Sequence, residues 1–534
     1  MYKWSIFAVA CVLLFSGCTK SGKTYRPSSQ ELRLNLPSEP PTLDPRKAID
    51  TVSASVINLC FEGLMGRDPS GNIVLGSAEQ FTLSEDKTRY TFTLRDTKWS
   101  DGTPVTAIDF EKSWKAVLDP TFACMYASDL YIIKNARPAK ANLCSSDEIG
   151  VRALDEKTLQ VDLENPTPYF LEALSTLSFF PTPFHITSVN PHWIEEHYVC
   201  NGPFLVKEWK HNNRLLLEKN PQYWDRDKTT LERVTLTILD DVTTELAMYD
   251  NGELDWAGNP LSPLPSEALP FLEKTGKLQN FPISATYFYV FNTKEFPFNN
   301  VNIRKAFSLA INRQAIVDNV THVRQMPAMS LIPPTIWKDA KGYFKDNDLE
   351  EAKRLFQLGL KQLGITAKEL PPIRLSYNTM VDHHKIAQAI QEQWHKAFGV
   401  KVQLENKEWK VFLDELSHHK FHVARMGGVA NVNDPATFLD YYRFLSSANN
   451  LPQWSNPKYT KALEEADRTT DESKRTALLK EAEKILMDDM PIAPIYFYKG
   501  VYLKKPYVKG IHLTELNHLD LKWAYIDIND TVSR

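Results

Sequence analysis

"IRLSYNTMVDHHKIAQAIQEQWHKAFGVKVQLE", residues Ile373–Glu405, carries the clearest architectural signal in the chain. "IRLSYN" and "VKVQLE" read as strands. "DHHKIAQAIQEQWHKAFG" between them reads as a helix closed by the C-capping glycine Gly399. Strand, helix and strand in that order predict a βαβ unit and an α/β fold. The flanking segments agree. "LEEAKRLFQLGLKQLG" predicts a helix ending the same way at Gly364, and "DESKRTALLKEAEKILMDDM" predicts another. "VNIRKAFSLAINRQAIVDNV" keeps an apolar stripe through Ile303, Phe307, Leu309, Ala310 and Ile316, which predicts a helix. Nearer the N-terminus, "ELRLNLP", "YTFTLR", "TLQVDLE" and "RVTLTIL" read as strands and "SVINLCFEGLM" as helical. "FLVKEWKHNNRLLLEKN" reads as a hairpin turning at His211, Asn212 and Asn213, and "IAPIYFYKGVYLKKPYVKGIHL" returns to strands. A chain that passes through an α/β region and then goes back to β structure suits two lobes with a cleft between them. Such a cleft holds small ligands at the carboxyl ends of strands.

With 534 residues, 43% hydrophobic and 24% charged, the chain has material for two to four domains. The net charge of -4 gives no basic footprint for nucleic acid. "MYKWSIFAVACVLLFSGC" has one cation, Lys3, an apolar run from Ile6 to Phe15, and then Ser16, Gly17 and Cys18. The run suits a secretory signal and is too short to span a bilayer. Its end resembles a bacterial lipobox, with Phe15 where Leu is commonest. Residues 1–17 are therefore expected to be removed and Cys18 to carry lipid. Residues 19–30, polar and turn-rich, then link the anchor to the fold. With Cys11 removed and Cys18 lipidated, Cys60, Cys124, Cys144 and Cys200 remain. They show no zinc spacing, and Cys124 with Cys144 is the nearest pair along the chain.

Catalytic signatures are largely missing: there is no GxSxG, HExxH or GxGxxG. Acidic residues abound without a local pattern. His383 with His384, and His418, His419 and His422, suggest a metal, but adjacent helical histidines point apart. No cofactor and no metal are expected. "TYFYVFN", "DYYRF" and "IYFYKGVY" concentrate aromatic residues, either as core or as cleft walls. "ARMGGVANVNDPATF", Ala424–Phe438, places Gly427 beside Gly428 in a chain with only 20 glycines, which suggests a close backbone approach.

"YTFTLRDTKWSDGTPVTAIDFEKSW" (Tyr90–Trp114) resembles the signature of the peptide- and nickel-binding proteins of bacterial ABC importers. "PTLDP", "FEGLM", "NGPFLVKEWKHNNRLLLEKNPQYW", "FNNVNIRKAFSLAINR" and "EWKVFLDEL" followed by "ARMGGVANVNDPATFL" match in order, most closely the oligopeptide-binding members. The resemblance implies an α/β, type II periplasmic-binding-protein-like, two-lobed clam with an extra inserted α/β domain. It places domain I at 19–62, 186–283 and 499–534, domain II at 63–185, and domain III at 284–498. It implies a monomer, anchored outside a bacterial membrane, that captures short peptides and delivers them to a permease without chemistry. Alternatives are a modified peptide (glutathione or cell-wall peptide), a nickel or haem complex, or, outside the class, a secreted hydrolase or a surface adhesin.

By the same resemblance Gly427, Gly428 and Val429 pair with the ligand backbone, facing Ile49–Val52 around Thr51. Arg425 and His383 meet its carboxylate. Trp409, Tyr126, Asn259 and Tyr498 line pockets or touch its backbone, with ordinary packing as the competing reading. The chain departs from the family at Val429 and Ala285, where a disulfide would stand, and at Gly428, where Trp is usual. At Asn431 the family has the acid that grips the ligand's α-amino group. Asp434 or Asp440 would have to take over, or peptides would bind more weakly, or the ligand would lack an ordinary α-amino group there; the last two together are the expectation. If Cys18 is diacylated, two acyl chains suffice for stable anchoring. Cys18→Ala should then leave the membrane fraction; equal retention of the variant would contradict lipidation.

Overall fold

The computed structural model describes residues 29–529 except positions 49, 125, 197, 340, 446 and 448, so the signal segment and Cys18 lie outside the described residues. Two four-stranded sheets and one seven-stranded sheet organise the molecule. In the first sheet Glu31–Leu36 runs parallel to Arg233–Ile238, followed by Arg214–Lys219 and Phe204–Lys210. The last two form the expected hairpin, and Asn212 takes the left-handed conformation at its turn. The second sheet orders Ala78–Leu83, Arg89–Leu94, Thr158–Asp162 and Val151–Ala153, all antiparallel. Alternation explains both sheets. Leu32, Leu34 and Leu36 from the first enter the same apolar core as Phe92, Leu159 and Val161 from the second.

The seven-stranded sheet is mixed. Its order is Trp256–Gly258, Ile492–Lys504, Gln279–Phe291, Val423–Val429, Ile373–Asn378 and Val402–Lys407, with Met326–Pro327 also on Ile492–Lys504. The predicted βαβ unit is present: Ile373–Asn378 and Val402–Lys407 are parallel and joined by the helix Val381–Phe398. Helices cover both faces. Tyr287, Tyr289 and Phe291 turn to the side of Val301–Leu309, Leu349–Leu363 and Val381–Phe398. Phe288 and Val290 turn to the side of Trp409–Ser417, Pro457–Arg468 and Glu472–Asp489. This double covering is why "TYFYVF" reads as an unbroken apolar run. The long strands Gln279–Phe291 and Ile492–Lys504 carry the chain out of this sandwich. Trp256–Gly258 pairs with the far end of Ile492–Lys504, and Arg33 of the first sheet grips the neighbouring Asp255 through its backbone N–H at 2.8 Å and its Nη2 at 2.6 Å.

Gly364 and Gly399 close their helices in the left-handed conformation, as expected. Two predicted helices are shorter than read. The stretch from Val301 breaks at Leu309, and Asn312 caps a new turn by accepting from the Ala315 N–H, so the apolar stripe spans two helices. "SVINLCFEGLM" is helical only to Cys60. Asn201 holds the Glu62 N–H, Gly63 lies so tightly on the Leu174 carbonyl that no Cβ would fit, and Met65 already belongs to a strand. The four described cysteines are free thiols. Cys124 and Cys144 are therefore not bridged, and the Cys144 thiol instead faces the Asn135 carbonyl at 3.7 Å. Among the described residues no helix is long and apolar enough to cross a membrane.

Candidate functional site

Val423–Val429 is paired along one edge only over most of its length. On one side it meets Ala285–Phe291 in continuous antiparallel register. On the other, Ile373–Asn378 reaches only Val423 and Ala424. Ala430 donates to the Ser284 carbonyl at 2.8 Å. Backbone groups alternate sides along a strand. The N–H and C=O groups of Arg425, Gly427 and Val429 therefore face the unpaired edge. Both glycines occupy crowded faces. A Cβ on Gly427 would lie 3.0 Å from the Tyr498 hydroxyl, and one on Gly428 would lie 3.2 Å from the Phe438 ring. Neither takes a left-handed conformation, so the pair serves packing around the strand rather than a turn.

Arg425 lies among neutral groups. Its Nη2 donates to the Tyr498 hydroxyl at 2.9 Å and its Nη1 to Asn378 Oδ1 at 3.3 Å, and the guanidinium sits 4.7 Å from the Tyr287 ring centre. Its Nε is buried without a partner, as is the Tyr289 hydroxyl. Burial pulls the guanidinium down, but the Tyr498, Tyr287 and Tyr496 hydroxyls outweigh it and it stays charged. His383, buried, meets the Tyr287 hydroxyl at 3.3 Å. Burial first, and the Arg425 charge second, push its pKa down to about 3, so it is a neutral ring beside a fixed cation. Tyr287 stacks on Tyr496 at 4.8 Å and Tyr496 meets Tyr498 edge-on at 5.4 Å, which holds this wall rigid.

At the other end of the strand, Asn431 donates through Nδ2 to Asp129 Oδ1 at 3.2 Å, and Ser178 donates to Asp129 Oδ2 at 2.7 Å. Burial raises the Asp129 pKa against both hydrogen bonds. Tyr126 and Tyr441 stand close enough to feel its charge. A second clasp lies beside this one: Asn433 donates through its backbone N–H and its Nδ2, both at 3.0 Å, to Glu172, which also pairs with Arg67 at 3.1 Å. The two acids considered as replacements at Asn431 are engaged elsewhere. Asp434 is held bidentately by Arg475 at 2.8 and 2.9 Å, and Asp440 pairs with Arg443 at 2.7 Å.

The remaining expected residues divide. Trp409 opens its helix with 45% of its surface exposed. Asn259 is spent on the fold: its Oδ1 accepts from the Val501 N–H at 3.1 Å and its own N–H meets the Val501 carbonyl at 2.9 Å. Thr51 does not lie in an extended segment. It starts the helix Thr51–Cys60, capped by Asp50, which accepts from Ser53 N–H at 2.8 Å; Ile49 lies outside the described residues. The histidines near Val423 separate, with His418 on the Asp414 carbonyl at 2.8 Å and His419 on that of Leu451 at 3.2 Å. Sequence reading names neither Asp129 nor Glu172, and Tyr287 only within the aromatic run "TYFYVFN". The one local hint was that Asp129 follows Tyr126 by three residues.

The family model for bacterial extracellular solute-binding proteins, family 5 (middle) matches residues 72–451. The chain belongs to that family. It is 43% identical to the oligopeptide-binding protein OppA of Bacillus subtilis over 98% of this chain and 99% of that one. Its fold overlays that of Haemophilus influenzae OppA in complex with the peptide RPPGFSPFR, with a TM-score of 0.80 at 32% identity, covering 94% of this chain and 100% of the other. The murein tripeptide binding protein MppA of Escherichia coli gives 0.81 at 33% identity, covering 94% and 99%. The family 5 protein described here thus has the two-lobed type II binding-protein fold. Its seven-stranded sheet presents the open strand edge, with Asp129 and Glu172 reaching that sheet from the body built on Arg89–Leu94. In this family 5 protein His383 should stay neutral across the ordinary range. Its ring proton resonance, assigned with His383→Gln, is expected not to move between pH 5 and 8; a midpoint near 6.5 would contradict the buried, cation-facing site.

Proposed function

We propose that the chain is the substrate-binding protein of an ABC importer and that it captures short peptides as an added strand on Arg425–Val429. The observation that carries this reading is Arg425, a buried cation with no carboxylate within 4 Å among the described residues, set at the end of an unpaired strand edge. A buried guanidinium in neutral surroundings lacks the partner that its charge calls for. Its planar fork fits a carboxylate. A ligand carboxylate there completes the site, and the unpaired backbone groups supply sequence-independent hydrogen bonds. The ligand then runs antiparallel to Val423–Val429, its carboxylate at Arg425 and its other end towards Asn431. From Arg425 to Val429 the strand spans ~13 Å, the reach of about four extended residues. The exposed Trp409 and Val429 offer apolar surface to varied side chains.

The chain binds and releases its ligand unchanged and passes it to a membrane permease. It works as a monomer outside the membrane, held by lipid on Cys18. The lobes divide as domain I at 19–62, 186–283 and 499–534, domain II at 63–185 and domain III at 284–498. The names of the relatives, an oligopeptide-binding and a murein tripeptide binding protein among them, support peptides as the ligand class.

Tetra-alanine and its C-terminal amide test the role of Arg425. The free acid should bind the unmodified protein more tightly by ~2–5 kcal/mol, and Arg425→Ala should lose that difference. Equal affinity of the unmodified protein for acid and amide, measured by calorimetry, would contradict this role.

A further inference from the structure

Asp129 is a carboxylate that the fold leaves without a cation. It lies on the short helix Ala127–Ile132, whose Leu130 is anchored in the core shared by the two smaller sheets. Its described donors are two neutral groups, the Ser178 hydroxyl and the Asn431 amide. Among the described residues no lysine, arginine or histidine nitrogen lies within 4 Å of it, and no positive charge offsets the effect of its burial. Three acids around it do not share this state: Asp434 and Asp440 have arginine partners and Glu172 has Arg67, whereas Asp50, near Tyr126, caps a helix with Oδ1 and leaves Oδ2 without a described donor. A half-buried carboxylate with no cationic partner costs stability unless something else completes it.

What the site lacks can be counted. An ionised carboxylate has about four acceptor positions, and Asp129 fills one on each oxygen, so about two remain. Asn431 donates with Nδ2, and no described group donates to its Oδ1. Together they present one negative charge and about three free acceptors, the complement of a single –NH3⁺ group with its three donors. The pair also lies beyond Val429, at the opposite end of the open edge from Arg425.

We infer that Asp129, with Asn431, forms the subsite for the α-ammonium group of the bound peptide, with the charge supplied across the cleft rather than by the strand's own loop. This rests on the peptide reading above. It also gives the amine a second role. Asp129 belongs to the body of the smaller sheets, whereas Asn431 continues the seven-stranded sheet, so an ammonium held by both draws the two bodies together. Closure is then coupled to the presence of a free amine. The resemblance-based expectation that Asn431 signals a ligand without an ordinary α-amino group is thereby replaced.

Calorimetry with tetra-alanine and N-acetyl-tetra-alanine decides this. In the unmodified protein, acetylation should weaken binding by at least about thirtyfold. In Asp129→Asn, with an unchanged melting temperature as the check on folding, the ratio should fall below about threefold. The double variant Asp129→Asn, Asn431→Asp moves the charge to the other side of the same hydrogen bond and should restore the preference, which a merely structural role for Asp129 would not do. Equal binding of the two peptides by the unmodified protein would overturn the inference, as would a preference that survives Asp129→Asn. Failure of both peptides to bind the unmodified protein would instead contradict the peptide reading, and the inference with it.

Discussion

A strand paired along one edge must find partners for the backbone groups on the other. Val423–Val429 is such a strand, and most of the structure serves to keep it that way. Ile373–Asn378 pairs with it at two residues only, although it stays paired with Val402–Lys407 on its other side through Asn378. Gln279–Phe291 secures the other edge along the strand's whole length, and its side chains lock into helices on both faces. The open edge is therefore held at a fixed place by a rigid sandwich, which is what keeps the cost of ordering the site low when a ligand arrives.

Charge is arranged at the two ends of that edge with the same economy. Arg425 is surrounded by tyrosine hydroxyls and a neutral histidine, which solvate a guanidinium without neutralising it. Asp129 is surrounded by a hydroxyl and an amide, which do the same for a carboxylate. Other interior charges are matched, as Arg33 with Asp255 and Arg475 with Asp434 are, or held by neutral groups alone, as Glu245 is by Asn35 and Ser262. Unmatched charges of opposite sign at either end of an unpaired strand describe a zwitterion of defined direction. The Asn433–Glu172 contact, which adds two hydrogen bonds between the same two bodies, is a closing contact that involves no ligand.

What could be read from the chain alone follows the range of the interactions. The helices ending at Gly364 and Gly399 and the hairpin at Asn212 depend on nearby residues, and they stand as expected. The break after Leu309 was hidden because the apolar stripe continues through it, although Asn312 is a capping residue in plain view. The helical start at Thr51 is hidden because a short segment before a helix cannot be told from an extended one without the contact of its cap Asp50 with Ser53. The close approach expected at the double glycine includes neighbours the local sequence does not show: Tyr498 and Phe438, which crowd it, are 71 and 10 residues away along the chain. Asp129 was invisible for the same reason in stronger form: its partner Asn431 is 302 residues distant. Local patterns revealed the scaffold, and resemblance pointed to the strand whose edge is open. The unmatched charge that completes the site arises only from tertiary contact.

The central claim is that the open edge and its two charges hold ordinary short peptides. Mass spectrometry of small molecules released by gentle denaturation of the purified protein tests it most directly. The account predicts a mixture of peptides of two to six residues, of more than one sequence, with free carboxylates and free α-amines. Recovery of a metal or haem complex, or of N-blocked compounds alone, would contradict it.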